Sequence, residues 1–244
     1  MAEGTAEEAA EVTAEVTATR TATADAKSPT GYNLVPPPGW DSIPLQDGSA
    51  ANDTILRIVD RAVRELPQDL PRDDVSKARL ELFKRLKQAA GQAAKGHGLT
   101  LYLPVERIHG TYVPASFVVS EALAGPGIDA PADEVMRLVT AGRGESESVE
   151  VDGAQGTRID RIVPPPKDAE FAYASRRVEY VIPVPGAPTP RWLTVAFSTI
   201  GGGHPDGELS DVLVDVFDAV MTTFRWSYGT NDAPAAPSHR SSNA

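Results

Sequence analysis

The chain has 244 residues, no cysteine and a formal charge of -11 at neutral pH. That acidity opposes general nucleic-acid binding and docking on an anionic membrane, both of which need a clustered basic surface. The missing thiols exclude disulfides, thiolate metal sites, cysteine nucleophiles and a lipidated cysteine anchor.

Residues 1–30 are rich in Ala, Glu and Thr, with six acids against two bases and no aromatic residue. Residues 229–244 are rich in Pro, Ala, Ser and Asn. Neither holds enough apolar surface to offset chain entropy, so both are expected to be disordered tails around one domain at 31–228. The start, Met1-Ala2-Glu3-Gly4, lacks the basic and apolar regions of a signal peptide. No run approaches the roughly 18 apolar residues of a membrane span. A soluble cytoplasmic protein is expected, with non-classical export left open. The abundance of Ala, Arg, Asp, Gly and Pro fits a high-GC bacterial coding style.

Within the domain, Pro36-Pro37-Pro38 is extended, and Trp40 and Ile43 anchor the first ordered segment. Asn52-Asp53 is expected to cap a helix at 54–66, with Ile55, Ile58, Val59, Ala62, Val63 and Leu66 as its stripe. Beyond Pro67 and Pro71 a longer helix spans 73–95. Val75, Leu82, Phe83, Leu86, Ala90 and Ala93 line one side, and Gly96 serves as its C′ residue. The pair predicts an αα-hairpin at 54–95 inserted into the domain.

From Leu99 the apolar period changes. Strands are predicted at 99–103 and 115–120 around His109-Gly110, then a short helix at 131–141 between Pro131 and Gly142. Asp152-Gly153 turns a hairpin of strands at 148–151 and 155–163.

The segment 175–226 is the best patterned. Val178, Tyr180, Ile182 and Val184 share one face of a strand; Leu193, Val195 and Phe197 share one face of the next. The prolines of 185–190 make the connection a turn, and Pro183 places its strand end at a sheet edge. After Gly201-Gly202-Gly203, Leu209, Val212, Leu213, Val216, Phe217, Val220 and Phe224 recur at the helical period, with Asp206 as N-cap and Glu208 and Asp211 beside the dipole. Runs of strands with helices before and after predict an α+β domain with a mostly antiparallel sheet.

Several stretches carry a resemblance: Pro38-Gly39-Trp40, Gly153 to Ile159, Val178 to Pro185, Trp192 to Thr199 and the 208–226 helix. Over roughly 34–226 the chain resembles the PsbP-like, or Mog-type, α/β/α sandwich superfamily. The resemblance implies an α/β/α sandwich without enzymatic activity, binding a protein partner in an accessory or scaffold role. By analogy, that role falls beside a bacterial secretion or assembly system. It implies no cofactor and supplies no catalytic residue.

No motif argues for chemistry. His204 after the glycines lacks the Gly-x-Ser-x-Gly elbow of an esterase. His97, His109, His204 and His239 share no metal-ligand spacing. Gly142-Arg143-Gly144-Glu145 and Gly91 to Gly96 are not phosphate loops. Asp129, Asp133 and Glu134 read as helix-terminal acids, Arg176-Arg177 beside Glu179 as a solvated strand edge, and Trp40, Trp192 and Trp226 as core and rim packing. The one patch that stands out is the basic side of the 73–95 helix: Lys77, Lys84, Arg85 and Lys87 against an acidic background. It suits an acidic protein partner, or the chain's own N-terminal tail. The alternative is a small-ligand site or enzyme walled by Gly201–Gly203, His204 and Arg107–His109.

Overall fold

A computed structural model describes residues 28–67, 69–108, 110–123, 144–165 and 173–229. The helix expected at 131–141, the acids at 129–134, His109, and residues 1–27 and 230–244 lie outside these.

The described chain runs β1 (Gly31–Asn33), β2 (Trp40–Pro44), α1 (Gly48–Arg64), α2 (Arg72–Lys95), β3 (Gly98–Pro104), β4 (Ala115–Leu123), β5 (Glu145–Val151), β6 (Ala154–Val163), β7 (Ser175–Pro183), β8 (Arg191–Thr199), a 3-10 turn (Gly201–Gly203), α3 (Glu208–Thr222) and β9 (Arg225–Ser227). Seven strands form one antiparallel sheet in the order β2-β3-β4-β8-β7-β6-β5, and β1 pairs with β9 apart from it. Helices cover both faces, so the domain is α+β, an antiparallel sheet between helical layers.

Register explains the layering. Val178 pairs with Phe197, Tyr180 with Val195 and Ile182 with Leu193, so the two predicted apolar faces are one face. Phe117 and Val119 on β4 continue it. Leu213, Val214, Phe217, Val220 and Met221 of α3 and Phe224 just beyond it pack there in one cluster. On the opposite face Ile43, Leu101 and Val105 pack against Ile55, Ile58 and Val59 of α1 and Ala90 of α2. Ile159, Val181 and Trp192, farther along that second face, are buried as well.

Several element ends differ from expectation. α1 begins six residues early, because Asp47 and not Asn52-Asp53 is the cap: its Oδ1 accepts from the N–H of Ser49 at 2.8 Å and of Ala50 at 3.2 Å. At the end of α2, Gly96 keeps φ -84°, and His97 takes the left-handed conformation at φ 58°. Gly98 then passes so close that a Cβ would sit 2.6 Å from both Ala93 O and Leu45 Cδ1. Pro183 does not mark a sheet edge. β7 lies between β8 and β6, and Pro183 is its last residue, past the final β6 pair at Val181, so its missing N–H interrupts no ladder there. α3 is capped by Gly207, not Asp206, and has no side-chain cap.

Three strands were not foreseen: β2, β1 and β9. The last two have three residues each, too short for a period to show. They also bring residues of the expected tails into the fold. Ser28 Oγ and Pro29 O accept from Arg191, and Thr30 Oγ1 donates to Gly229 O at 2.8 Å.

Candidate functional site

The sequence-predicted patch lies on α2. Its inner side, with Leu82, Phe83, Leu86 and Ala93, is half-buried against α1 and the sheet. Arg79 reaches across to Asp60 of α1 at 2.7 Å and ties the hairpin together. Arg61 ties α1 to the sheet side through Asp41 at 3.4 Å and Glu106 at 3.6 Å.

The outer side carries the lysines. At 100° per residue, Lys77, Lys84 and Lys95 fall in one row, with Lys87 and the exposed Leu80 next to it. Lys77 lies 3.7 Å from Asp74, both side chains well exposed, a pair that holds little energy in water. Lys87 sits over the Phe83 ring at 5.7 Å from its centroid. Among the described residues Lys84 has no ion-pair partner. Arg85 flanks this row on the side opposite Lys87, each about a fifth to a quarter of a turn away, and is bonded to Glu81 at 2.8 Å. The structure therefore aligns Lys77 with Lys84, sets Lys87 and Arg85 on opposite flanks, and pairs Arg85 with Glu81. Over its whole length α2 holds seven bases against three acids, on a chain whose net charge is -11.

A second basic feature is an open cleft between α1 and α2, lined by Arg57, Asp60, Arg61, Val63, Arg64 and Arg79. Arg57 bonds the Thr54 hydroxyl at 3.1 Å, and Arg64 the Asp60 carbonyl at 3.2 Å. Neither has a carboxylate partner among the described residues.

The 201–204 turn meets the far end of the loop that holds Arg107. Thr199 Oγ1 and the Ile200 N–H both donate to Pro114 O, at 2.9 and 3.4 Å, which brings the 201–204 turn beside the 105–114 loop. Arg107 lies over the Tyr112 ring at 4.6 Å. Yet the turn spends its polar groups on itself. The Gly201 N–H donates to Thr199 Oγ1 at 3.0 Å, Ser210 Oγ donates to His204 O at 2.9 Å, and His204 faces solvent.

Sequence reasoning missed an ionic network between α3 and the sheet. Arg158 of β6 forms a fork with Asp218 of α3 at 3.1 and 2.9 Å, and reaches Glu147 at 3.3 Å. Tyr180 donates to the same Asp218 at 2.8 Å. Arg176 makes a second fork to Asp160 at 3.1 and 2.9 Å and also bonds Asp211. Arg176 is thus no solvated edge residue, and Glu179, 6 % exposed, pairs with Arg161 at 2.7 Å. Burial, the largest influence on Arg158, lowers its pKa; Asp218, Tyr180 and Asp160 outweigh it and hold the guanidinium charged. Hydrogen bonding to Asp160 raises Arg176. Burial, then the bond to Asp218, pushes Tyr180 far above the usual phenol range. Arg158 and Arg176 each also meet a carboxylate of α3 across the helix–sheet seam, which is the pattern of a clamp. The partners are up to 60 residues apart, so no local spacing announces them.

One apolar row is left over. Leu209, Val212 and Val216 of α3, expected in the core, are 47, 51 and 40 % exposed. Among the described residues no group of three or more His, Asp or Glu has metal-binding geometry, and no helix is long and apolar enough to cross a membrane. No protein-family model matches the chain, and no curated protein matches its sequence.

Proposed function

We propose that this protein is a non-enzymatic accessory or scaffold module of the PsbP-like kind that docks an acidic protein partner on its α1–α2 hairpin. One observation carries the reading: the outer face of α2 presents Lys77, Lys84 and Lys87 to solvent with little internal neutralisation, on an otherwise acidic molecule. Complementary charge of this kind steers encounter and selects partners more than it adds affinity, so binding is salt-sensitive and fast. The arginine cleft beside α2 extends the same polarity. An accessory role beside a bacterial secretion or assembly system fits a module that binds and does not turn over.

The test is affinity capture from the native host with the wild-type chain and with Lys77→Glu/Lys84→Glu. The expected result is an acidic protein retained by the first and lost by the second, at equal thermal stability, because both side chains are exposed. Equal retention by both removes α2 as the docking face. Turnover of any substrate, abolished by one polar substitution, overturns the non-enzymatic reading. The alternative, a small-ligand site where the 201–204 turn meets the 105–114 loop, has the shared Pro114 bonds in its favour. It predicts that His204→Ala removes the thermal shift given by a bound metabolite.

A further inference from the structure

We propose that residues 1–27 fold back along the outer face of α2 and occupy, within the same molecule, the surface offered to the acidic partner. The inference rests on the reading of α2 as a docking face. The place where this segment meets the fold comes first. Arg191 Nη2 donates to Ser28 Oγ and to Pro29 O, both at 3.1 Å. Its Nη1 bonds Glu121 at 2.9 Å, and the Glu121 N–H donates to His97 O at 3.1 Å. His97 stands two residues past Lys95, the last residue of α2. The segment thus enters the fold beside the C-terminal end of that helix.

Reach and charge agree with this placement. Residues 17–27, extended, span about 35 Å, enough to round the rim of the sheet. Sixteen residues wound as a helix cover about 24 Å, against a rise of about 27 Å from Lys77 to Lys95. Residues 1–27 hold six acids and two bases, and Glu3, Glu7, Glu11 and Glu15 recur at every fourth position. Wound helically, these glutamates share a side and face the row of Lys77, Lys84 and Lys95. The competing surface, the apolar row of α3, is unsuitable: α3 carries four acids and no base, two of the acids already paired with Arg158 and Arg176, so it offers an acidic segment no attracting charge.

Because the chain has no cysteine, a single Ala9→Cys in the full-length protein accepts one nitroxide label. With 15N-labelled protein at low salt, amide signals of residues 77–88 are expected to lose about half their intensity to the label. They should recover it in about 0.5 M NaCl, where the screening length is only a few ångströms. The triple variant Glu7→Lys/Glu11→Lys/Glu15→Lys, carrying the same label, is expected to show no such loss. The proposal is overturned by undiminished signals at low salt, by broadening centred on 209–216, or by broadening that high salt leaves intact. It is also overturned by broadening seen only when labelled and 15N-containing copies are mixed, which assigns the face to a second copy. If the broadening fails while Lys77→Glu/Lys84→Glu still loses the captured partner, the internal occupant falls and the docking face stands.

Discussion

Phe217 is where the rings of the core meet. Its centroid lies 4.9 Å from Phe197, 5.7 Å from Phe117 and 5.7 Å from Tyr180, across three strands. Phe217→Ala removes all three contacts and leaves a void that the sheet cannot close, so unfolding should become easier by about 3–5 kcal/mol, read from denaturant midpoints. Val212→Ala, five residues earlier on the exposed row, should shift stability by less than about 0.5 kcal/mol. Equal losses at the two positions would mean that α3 sits on the sheet through a different face. The tyrosines give a second test at this scale. Burial raises Tyr32, Tyr102 and Tyr180 above the ordinary phenol value, and the Tyr32 hydroxyl donates to Thr100 Oγ1 at 2.9 Å. A raised folded pKa means that the fold favours the protonated hydroxyl. Its contribution is complete below the unfolded value near 10 and is lost as pH climbs past it toward the folded value. In an ultraviolet titration of the native protein, Tyr32 and Tyr180 should stay protonated at about pH 11, whereas in urea both ionise near 10. A single native transition near pH 10 would contradict the buried positions of these rings.

The strand-to-helix turn carries its own strain at the scale of elements. Gly201 holds φ +53° with Ser210 Oγ where a Cβ would go. Gly201→Ala should therefore cost about 2 kcal/mol or more, of which about 1 is the left-handed backbone. Adding Ser210→Ala should restore part of the loss; a double-mutant cycle without coupling would dismiss the steric account. These elements also show what the sequence could convey. The alternation of Val178 to Val184 and Leu193 to Phe197 located β7, β8 and their shared face, because a strand with one buried side writes its period into neighbouring residues. Asp152-Gly153 located the β5–β6 turn, with both residues at positive φ, for an equally local reason. The helical stripe of 209–224 located α3 but overstated its burial. Spacing counts every apolar residue on a 3.6-residue period, while the sheet covers only the sector of Leu213, Phe217 and Val220. The lysines of α2 were visible as composition. That Arg158 clamps Asp218 depends on the way the chain folds back on itself.

For the molecule as a whole, the hairpin is a positively charged outpost on a negatively charged body. Arg79–Asp60 and Arg61–Asp41 fix it without cancelling its outer face. At the other layer, β1 pairs Gly31 with Ser227 and Asn33 with Arg225, so the two ends of the described chain leave side by side. A permuted chain joining Gly229 to Ser28 by a short Gly/Ser linker, opened in the Pro185–Pro190 turn, should fold to the same circular-dichroism spectrum. Its melting point should lie within about 5 °C of the parent, because the new opening breaks no strand. Loss of cooperative melting would show that the 185–190 turn is needed to pair β7 with β8. The pairing of β1 with β9 also sets an order of events at the ribosome. Tyr32 is among the first residues of the fold to be made, yet its stacking partner Phe224, 6.0 Å away, and the strand that holds it arrive almost two hundred codons later. A nascent chain stalled before codon 224 has the strands of its sheet and the whole of α3 synthesised, but its first strand still waits for the last.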